Sequence, residues 1–365
     1  MDYSKEKYWL WMSMIPDIWY DKHAKLIEIF NEPIEIFNAS RNTLEKIGIF
    51  KEKEIYNIVS SREKFSFDET VELLERKEIN FASIVSEHYP KKLLAYADRP
   101  MWLYYKGTLP RDDEKMVGIV GARNCSQYGK TMAEDIAAKL SLYSVSVVSG
   151  MARGIDAAAH RGAIMAKGKT YAVLGSGVDI CYPRENIDIY MEILKNGALM
   201  SEYPPGSQPL SARFPLRNRI ISMLSDNIAI IEAKKKSGTL ITTDYALKYG
   251  KEVFALPGRV GDVLSEGCNE LIKSGASLLT DGDDMIFSSG LYMEEIKKKK
   301  RQKKKLGLEK ENEVVYACLD LLPQSIEEII KKTGMTSQKV YEVMMQMVLD
   351  GIVIEPARNH FARKL

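Results

Sequence analysis

Residues 116–175 read MVGIVGARNCSQYGKTMAEDIAAKLSLYSVSVVSGMARGIDAAAHRGAIMAKGKTYAVLG, and this stretch decides the fold. It holds three short apolar runs rich in β-branched residues, MVGIVG (116–121), SVSVVSG (144–150) and TYAVLG (170–175), each closing on glycine and separated by helix-compatible sequence. The runs are apolar throughout rather than alternating, which is the pattern of parallel strands covered on both faces by crossover helices. Moving outward toward the C-terminus, ALMSEY (198–203), NIAIIE (227–232), EVFALP (252–257) and SLLT (277–280) repeat the pattern at spacings that leave room for one helix each. The expectation is a doubly wound parallel α/β sheet over about 111–287.

Outward in the other direction, YDKHAKLIEIF (20–30), TLEKIGIF (43–50) and DETVELLERKEI (68–79) carry charged helical periodicity, so residues 1–88 are expected to form a small helical domain of short helices. Residues 89–110, with three prolines and a short aromatic run, read as an extended lead-in to the sheet, which gives a second domain over 89–287. Within 288–312, KKKKRQKKK (297–305) places eight positive charges in nine residues, the composition of a solvated linker. Residues 313–365 show helix-like segments at 313–321, 326–333 and 337–349, with Ser325 and Glu328 spaced as a capping box and Gly334 at a helix-turn-helix corner. A β-prone ending completes the expectation of a winged-helix domain.

Composition narrows the function. The 365 residues are 45% hydrophobic and 28% charged, enough to bury a sizeable core. A formal charge of +2 excludes a polycation that coats nucleic acid, so any such role needs a local cluster. Cys125, Cys181, Cys268 and Cys318 are scattered, with no C-x-x-C and no adjacent histidine, and no metal or cofactor is expected. No signal peptide or membrane-length apolar run is present, and the expectation is a cytoplasmic protein with reduced thiols.

In an open parallel sheet the ligand sits beyond the carboxyl ends of the strands. There GARNCSQYGK (121–130) and SGMARGIDAAAH (149–160) both combine glycine and arginine at a helix start, an arrangement that suits phosphate. PPGSQPLSARFPLRNRII (204–221) surrounds Phe214 and Asn218 with Arg213, Arg217 and Arg219, the composition of a site that holds phosphates and stacks a base. Ser237-Gly238-Thr239 opens a helix behind Lys234, Lys235 and Lys236, a triplet that by itself reads as a solvated loop. A nicotinamide site fails for want of G-x-G-x-x-G and of an acidic residue at the end of the second strand. Asp156 and His160, one helical turn apart, are read as structural rather than as an acid–base pair, and Cys125 as an incidental thiol.

The ordered motifs GARNCSQYG, SGMARGIDAAAH, TYAVLGSGVDICYPREN, SEYPPG, FPLRNRII, EAKKKSGTLIT, FALPG and SEGCNELIKSGA resemble those of the DNA-processing protein A family, also called DprA or Smf, densely over 89–280. The resemblance implies a protein that is not an enzyme: it binds single-stranded DNA, delivers it to the RecA recombinase, commonly in natural transformation, and forms a homodimer through the Rossmann-like domain. It places DNA contacts at Arg123, Ser149, Gly150, Arg153, Gly154, Phe214, Arg217, Asn218, Arg219, Ser237, Gly238 and Thr239. Two features depart from the pattern. In the front domain, for which the resemblance implies a helix-hairpin-helix or SAM-like fold, Pro16-Asp17-Ile18-Trp19 lacks the hairpin glycine that lets a backbone approach phosphate, and SQKVYEVMMQMVL (337–349) lacks the cationic face of a major-groove reader. An alternative, a nucleoside-monophosphate phosphoribohydrolase, matches SGTLITTD (237–244) loosely but has Thr242 where that chemistry requires a carboxylate.

Overall fold

The computed structural model describes residues 3–288, 310–319, 324–349, 353–357 and 359–363. The chain divides into two compact units, Met1–Tyr292 and Met293–Leu365. Lys297–Lys305 lies outside the described residues, as does most of the expected linker.

All seven apolar runs are strands of one sheet: β3 (Met116–Gly121), β4 (Ser146–Ser149), β5 (Thr170–Val173), β6 (Ala198–Ser201), β7 (Asn227–Ile231), β8 (Glu252–Ala255) and β9 (Ser277–Leu278). They are parallel in the order β6-β5-β4-β3-β7-β8-β9. The chain therefore winds outward from β3 on one side and returns to its other side at β7, which makes the β3/β7 boundary the topological switch point. One face is covered by the helices Arg213–Leu224 and Gly238–Lys248, through Ile220, Ile221, Leu224 and Ala246. The other is covered by Gln127–Leu142 and Ile155–Met165, through Ile136, Leu140, Ala159 and Ala163. At Gly118 a Cβ would lie 2.4 Å from Ile228 Cδ1 and 2.7 Å from Ser225 Oγ, so glycine there permits the close packing of the helix Arg213–Leu224 on β3.

Two further strands correct the reading of the N-terminal side. β2 (Trp102–Gly107), taken from sequence as part of an extended connector, runs antiparallel to β6, and β1 (Asn80–Ser83) runs antiparallel to β2. The sheet thus has nine strands and is mixed. Six α-helices between Lys7 and Arg76 pack Leu10, Trp11, Leu26, Leu44 and Ile58 against Phe81, Trp102 and Tyr104 of these two strands. The Ser13 and Tyr104 hydroxyls share a 2.5 Å hydrogen bond, and Glu6 accepts from the Ser83 N–H at 2.7 Å. The helical front consequently builds its own core against β1 and β2.

The second unit contains the helices Lys310–Cys318, Ile326–Thr333 and Ser337–Leu349 and three antiparallel strands, Gln324–Ser325, Val353–Ala357 and His360–Arg363, the last lying between the other two. Val315, Ile329, Val340, Met344 and Phe361 are among its core residues. The Ser325–Glu328 capping box is present, and Gly334 ends its helix with φ of 67°. Among the described residues no helix is long and apolar enough to cross a membrane, and no group of three or more His, Cys, Asp or Glu could hold a metal ion.

Candidate nucleic-acid interface

At the switch point a cavity of about 470 Å³ opens between the loop after β3, the loop after β7 and the start of the helix Arg213–Leu224. Three helix N-termini converge on this edge of the sheet, and they differ in what already occupies them. At Gln127–Leu142, Ser126 Oγ accepts from the Gly129 N–H at 3.1 Å, while the Glu232 carboxylate accepts from the Ser126 N–H at 2.8 Å and from its hydroxyl. Glu232 is 4% exposed and adopts φ of +57°, and a Cβ at Gly129 would lie 2.4 Å from its Cδ. That helix end is occupied by the protein's own carboxylate. At Ile155–Met165 the buried Asp156 carboxylate accepts from the Ala152 N–H at 3.4 Å. Burial raises its pKa, opposed by the neighbouring Arg217 and Arg123.

The third end is open. At Gly238–Lys248, Ser237 Oγ accepts from the Thr239 N–H at 3.0 Å, no acidic residue lies in the first turn, and Lys234 and Lys236 line the same cavity. Backbone N–H groups and the helix dipole there favour an anion. Opposite stands Arg123, exposed, with its guanidinium 5.2 Å from the centroid of the Phe214 ring and with no ion-pair partner among the described residues. Phe214 also lies beside Tyr182, ring centroids 5.8 Å apart.

Arg217 lines the cavity but is committed beneath it. It is 4% exposed; Nη1 donates to Gly150 O at 2.7 Å and to Val173 O, and Nε donates to Asn218 Oδ1 at 3.0 Å. Burial lowers its pKa to about 10, against the pull of Asp156. A Cβ at Gly150 would lie 2.3 Å from Arg217 Nη2, so this glycine makes room for the guanidinium.

The structure thus brings Arg123, Phe214, Arg217, Asn218, Ser237, Gly238 and Thr239 to one cavity. Five expected contact residues do not line it. Arg219 is fully buried: Nη2 donates to both Glu202 carboxylate oxygens at 2.6 Å, and the guanidinium lies 4.1 Å from the Tyr20 ring centroid. Burial alone would lower its pKa, but Glu202 overrides that and holds it above the ordinary value. The reason is periodicity, since two residues along an α-helix are about 200° apart and Arg217 and Arg219 face different surroundings. Arg153 is exposed and paired with Glu185 at 2.9 Å, and the Ser149 hydroxyl donates to Ile119 O at 2.6 Å. Gly150 and Gly154 act through packing. Gly154 has φ of +74°, and a Cβ there would lie 2.3 Å from Ala122 O and 2.5 Å from Arg123 O.

Asn124, Lys234 and Lys236 line the cavity and were absent from the expected set. The Lys triplet carried the signal, but charge alone reads as solvation until the strand end that aims it is known. His160 meets Thr170 Oγ1 through Nδ1 at 2.7 Å, and burial lowers its pKa to about 3, so it is a neutral core histidine. Burial likewise raises the Cys125 thiol.

A family model described as DNA recombination-mediator protein A matches residues 80–289, from the first residue of β1 to just past the last helix of the sheet layer. The chain belongs to this family. Among relatives, it is 44% identical over 204 residues to the DNA processing protein DprA of Streptococcus pneumoniae, covering 56% of this chain and 72% of that one. It is 33% identical over 291 residues to protein Smf of Synechocystis, covering 79% and 73%. The X-ray structure of the Streptococcus pneumoniae DprA superposes with a TM-score of 0.66 at 32% identity, covering 77% of this chain and 97% of that one. DprA of Helicobacter pylori, whose structure is described for its single-stranded DNA binding mode, superposes with a TM-score of 0.52 at 31% identity, covering 58% and 96%. Membership makes this chain a DNA-processing recombination mediator.

Proposed function

We propose that this chain holds single-stranded DNA in the β3/β7 cavity and delivers it to the RecA recombinase, in natural transformation or allied DNA processing, without turning anything over. The observation that carries the reading is the open N-terminus of Gly238–Lys248, flanked by Lys234 and Lys236 and faced by Arg123, which lies over Phe214 and has no ion-pair partner among the described residues. A phosphate on the backbone N–H groups with a base at the ring is how strands are held without sequence choice. The binding described for the Helicobacter pylori relative supports this reading. A cytoplasmic location, self-association through the sheet unit and a winged-helix role for the second unit in partner contact complete the proposal. A binding titration with short single- and double-stranded DNA over a range of salt tests it. Preference for single strands, with log affinity falling linearly against log salt, is expected; equal affinity for duplex overturns it.

A further inference from the structure

A second cleft, about 320 Å³, lies where the helical front meets the sheet. Its walls are rich in rings: Trp19, Tyr20, Trp102 and Tyr203. Trp19 is 41% exposed although it lies in a protein whose other three tryptophans are buried. At the cleft's wall His23 is 5% exposed and edge-on to Trp102 at 4.8 Å, and its buried Nε2 has no hydrogen-bond partner among the described residues. Burial lowers the pKa of His23 to about 3, so the ring is a neutral part of the wall.

The charges around the cleft are uneven. The Glu202 carboxylate is held by Arg219, and Asp17 is paired with Lys53 at 2.6 Å. Arg213, with its guanidinium 4.4 Å from the Tyr203 ring centroid and Nη1 bonded to Gln208 O at 2.9 Å, has no carboxylate partner among the described residues. The cleft therefore combines the exposed Trp19 ring with one uncompensated cation, the features that an unpaired nucleobase and its phosphate satisfy together.

Its position gives the ligand a source. Along residues 207–215, Ser207, Leu210 and Arg213 line this cleft, whereas Ser211, Phe214 and Pro215 line the switch-point cavity. The two openings share one wall, so a strand leading from Phe214 to this cleft would cross it at Arg213. We propose that this cleft is a second base-binding subsite, which takes an unpaired nucleobase further along the strand held at Phe214. The proposal rests on the single-strand reading above. It also gives the glycine-less Pro16–Trp19 stretch a way to contact DNA, through a ring rather than through its backbone.

The test uses the full chain and thymidine oligonucleotides lengthened one nucleotide at a time. In the native protein, affinity is expected to step up about tenfold when the oligonucleotide becomes long enough to reach the second cleft, the scale of one stacked base. Trp19→Ala should abolish that step and leave the shortest oligonucleotides unaffected. Trp19→Phe should keep the step but reduce the tryptophan fluorescence quenching that accompanies it. Arg123→Ala should weaken every length. A Trp19→Ala series that superimposes on the native one while Arg123→Ala still weakens binding would overturn the second subsite alone. An Arg123→Ala series that matches the native one would instead overturn the switch-point reading beneath it.

Discussion

Replacing Arg219 with alanine tests whether the arginines of the segment 213–219 have separate duties. Arg219 is fully buried, it donates twice to Glu202, and the Glu202 side chain is only 11% exposed. Removing the guanidinium strands a buried carboxylate, and breaking one side of such a pair costs about 3–5 kcal/mol. At roughly 2 °C per kcal/mol for a large cooperative unit, the thermal midpoint should fall by about 6–10 °C. Differential scanning calorimetry of the full chain reads this directly. Adding Glu202→Gln to the variant removes the stranded charge and should recover part of the loss. With an oligonucleotide too short to reach the cleft beside Trp19, affinity below the transition should stay within about twofold. A midpoint unchanged from the native protein, together with weaker binding and a salt slope shallower by about 0.7, would mean that Arg219 contacts phosphate and that its buried pairing is wrong.

Arg123→Ala should give the opposite result, a thermal midpoint within about 1 °C of native and a salt slope reduced by about 0.7 for each phosphate that the variant no longer neutralises, read from titrations at several salt concentrations. Gly154→Ala should destabilise the chain by about 1–3 kcal/mol in urea unfolding and weaken DNA binding, because it imposes a Cβ at φ of +74° against the carbonyls of Ala122 and Arg123. His23 and His160 both have their pKa lowered by burial from 6.5 to about 3. The unfolded chain therefore binds more protons over that interval, and stability should fall as the pH drops below about 6.5, with a slope approaching two protons, about 2.7 kcal/mol per pH unit. His160→Gln should lower the slope between pH 6 and 5 by about one proton in pH-resolved urea titrations. A chain ending at Phe287 should keep single-strand affinity within roughly threefold, under about 1 kcal/mol; comparison with a chain ending at Glu311 isolates the contribution of Lys297–Lys305.

The seven strands β3 to β9 were legible because each is a run of apolar residues with a helix-length gap behind it, and parallel pairing needs both. β2 was not, since WLYYKG sits among prolines and its partners are antiparallel strands that no crossover announces; β1 is four residues long. For the cavity, the Gly-Arg and Ser-Gly-Thr loops could be read because they follow strand ends. The duties of Arg217 and Arg219 could not, because the sequence around two prolines reads as a loop, whereas the helix already starts at Arg213 and turns the two side chains to different neighbours. The plugging of a helix end by Glu232 is also invisible from the sequence, for that residue is 106 positions from the group it accepts from, whereas Asp156, four positions away, could be read as a structural residue at a helix start.

The antiparallel pair β1 and β2 ties the helical front to β6 by a continuous ladder of backbone hydrogen bonds, with Phe81 and Tyr104 keyed into the front's own core. A body attached in this way works as a ruler rather than a tether. Whatever docks on the front helices is held at a constant offset from the strand in the switch-point cavity, so the geometry presented to a partner is set by the sheet and does not depend on the occupancy of either opening. Breaking the β2–β6 ladder would release that offset.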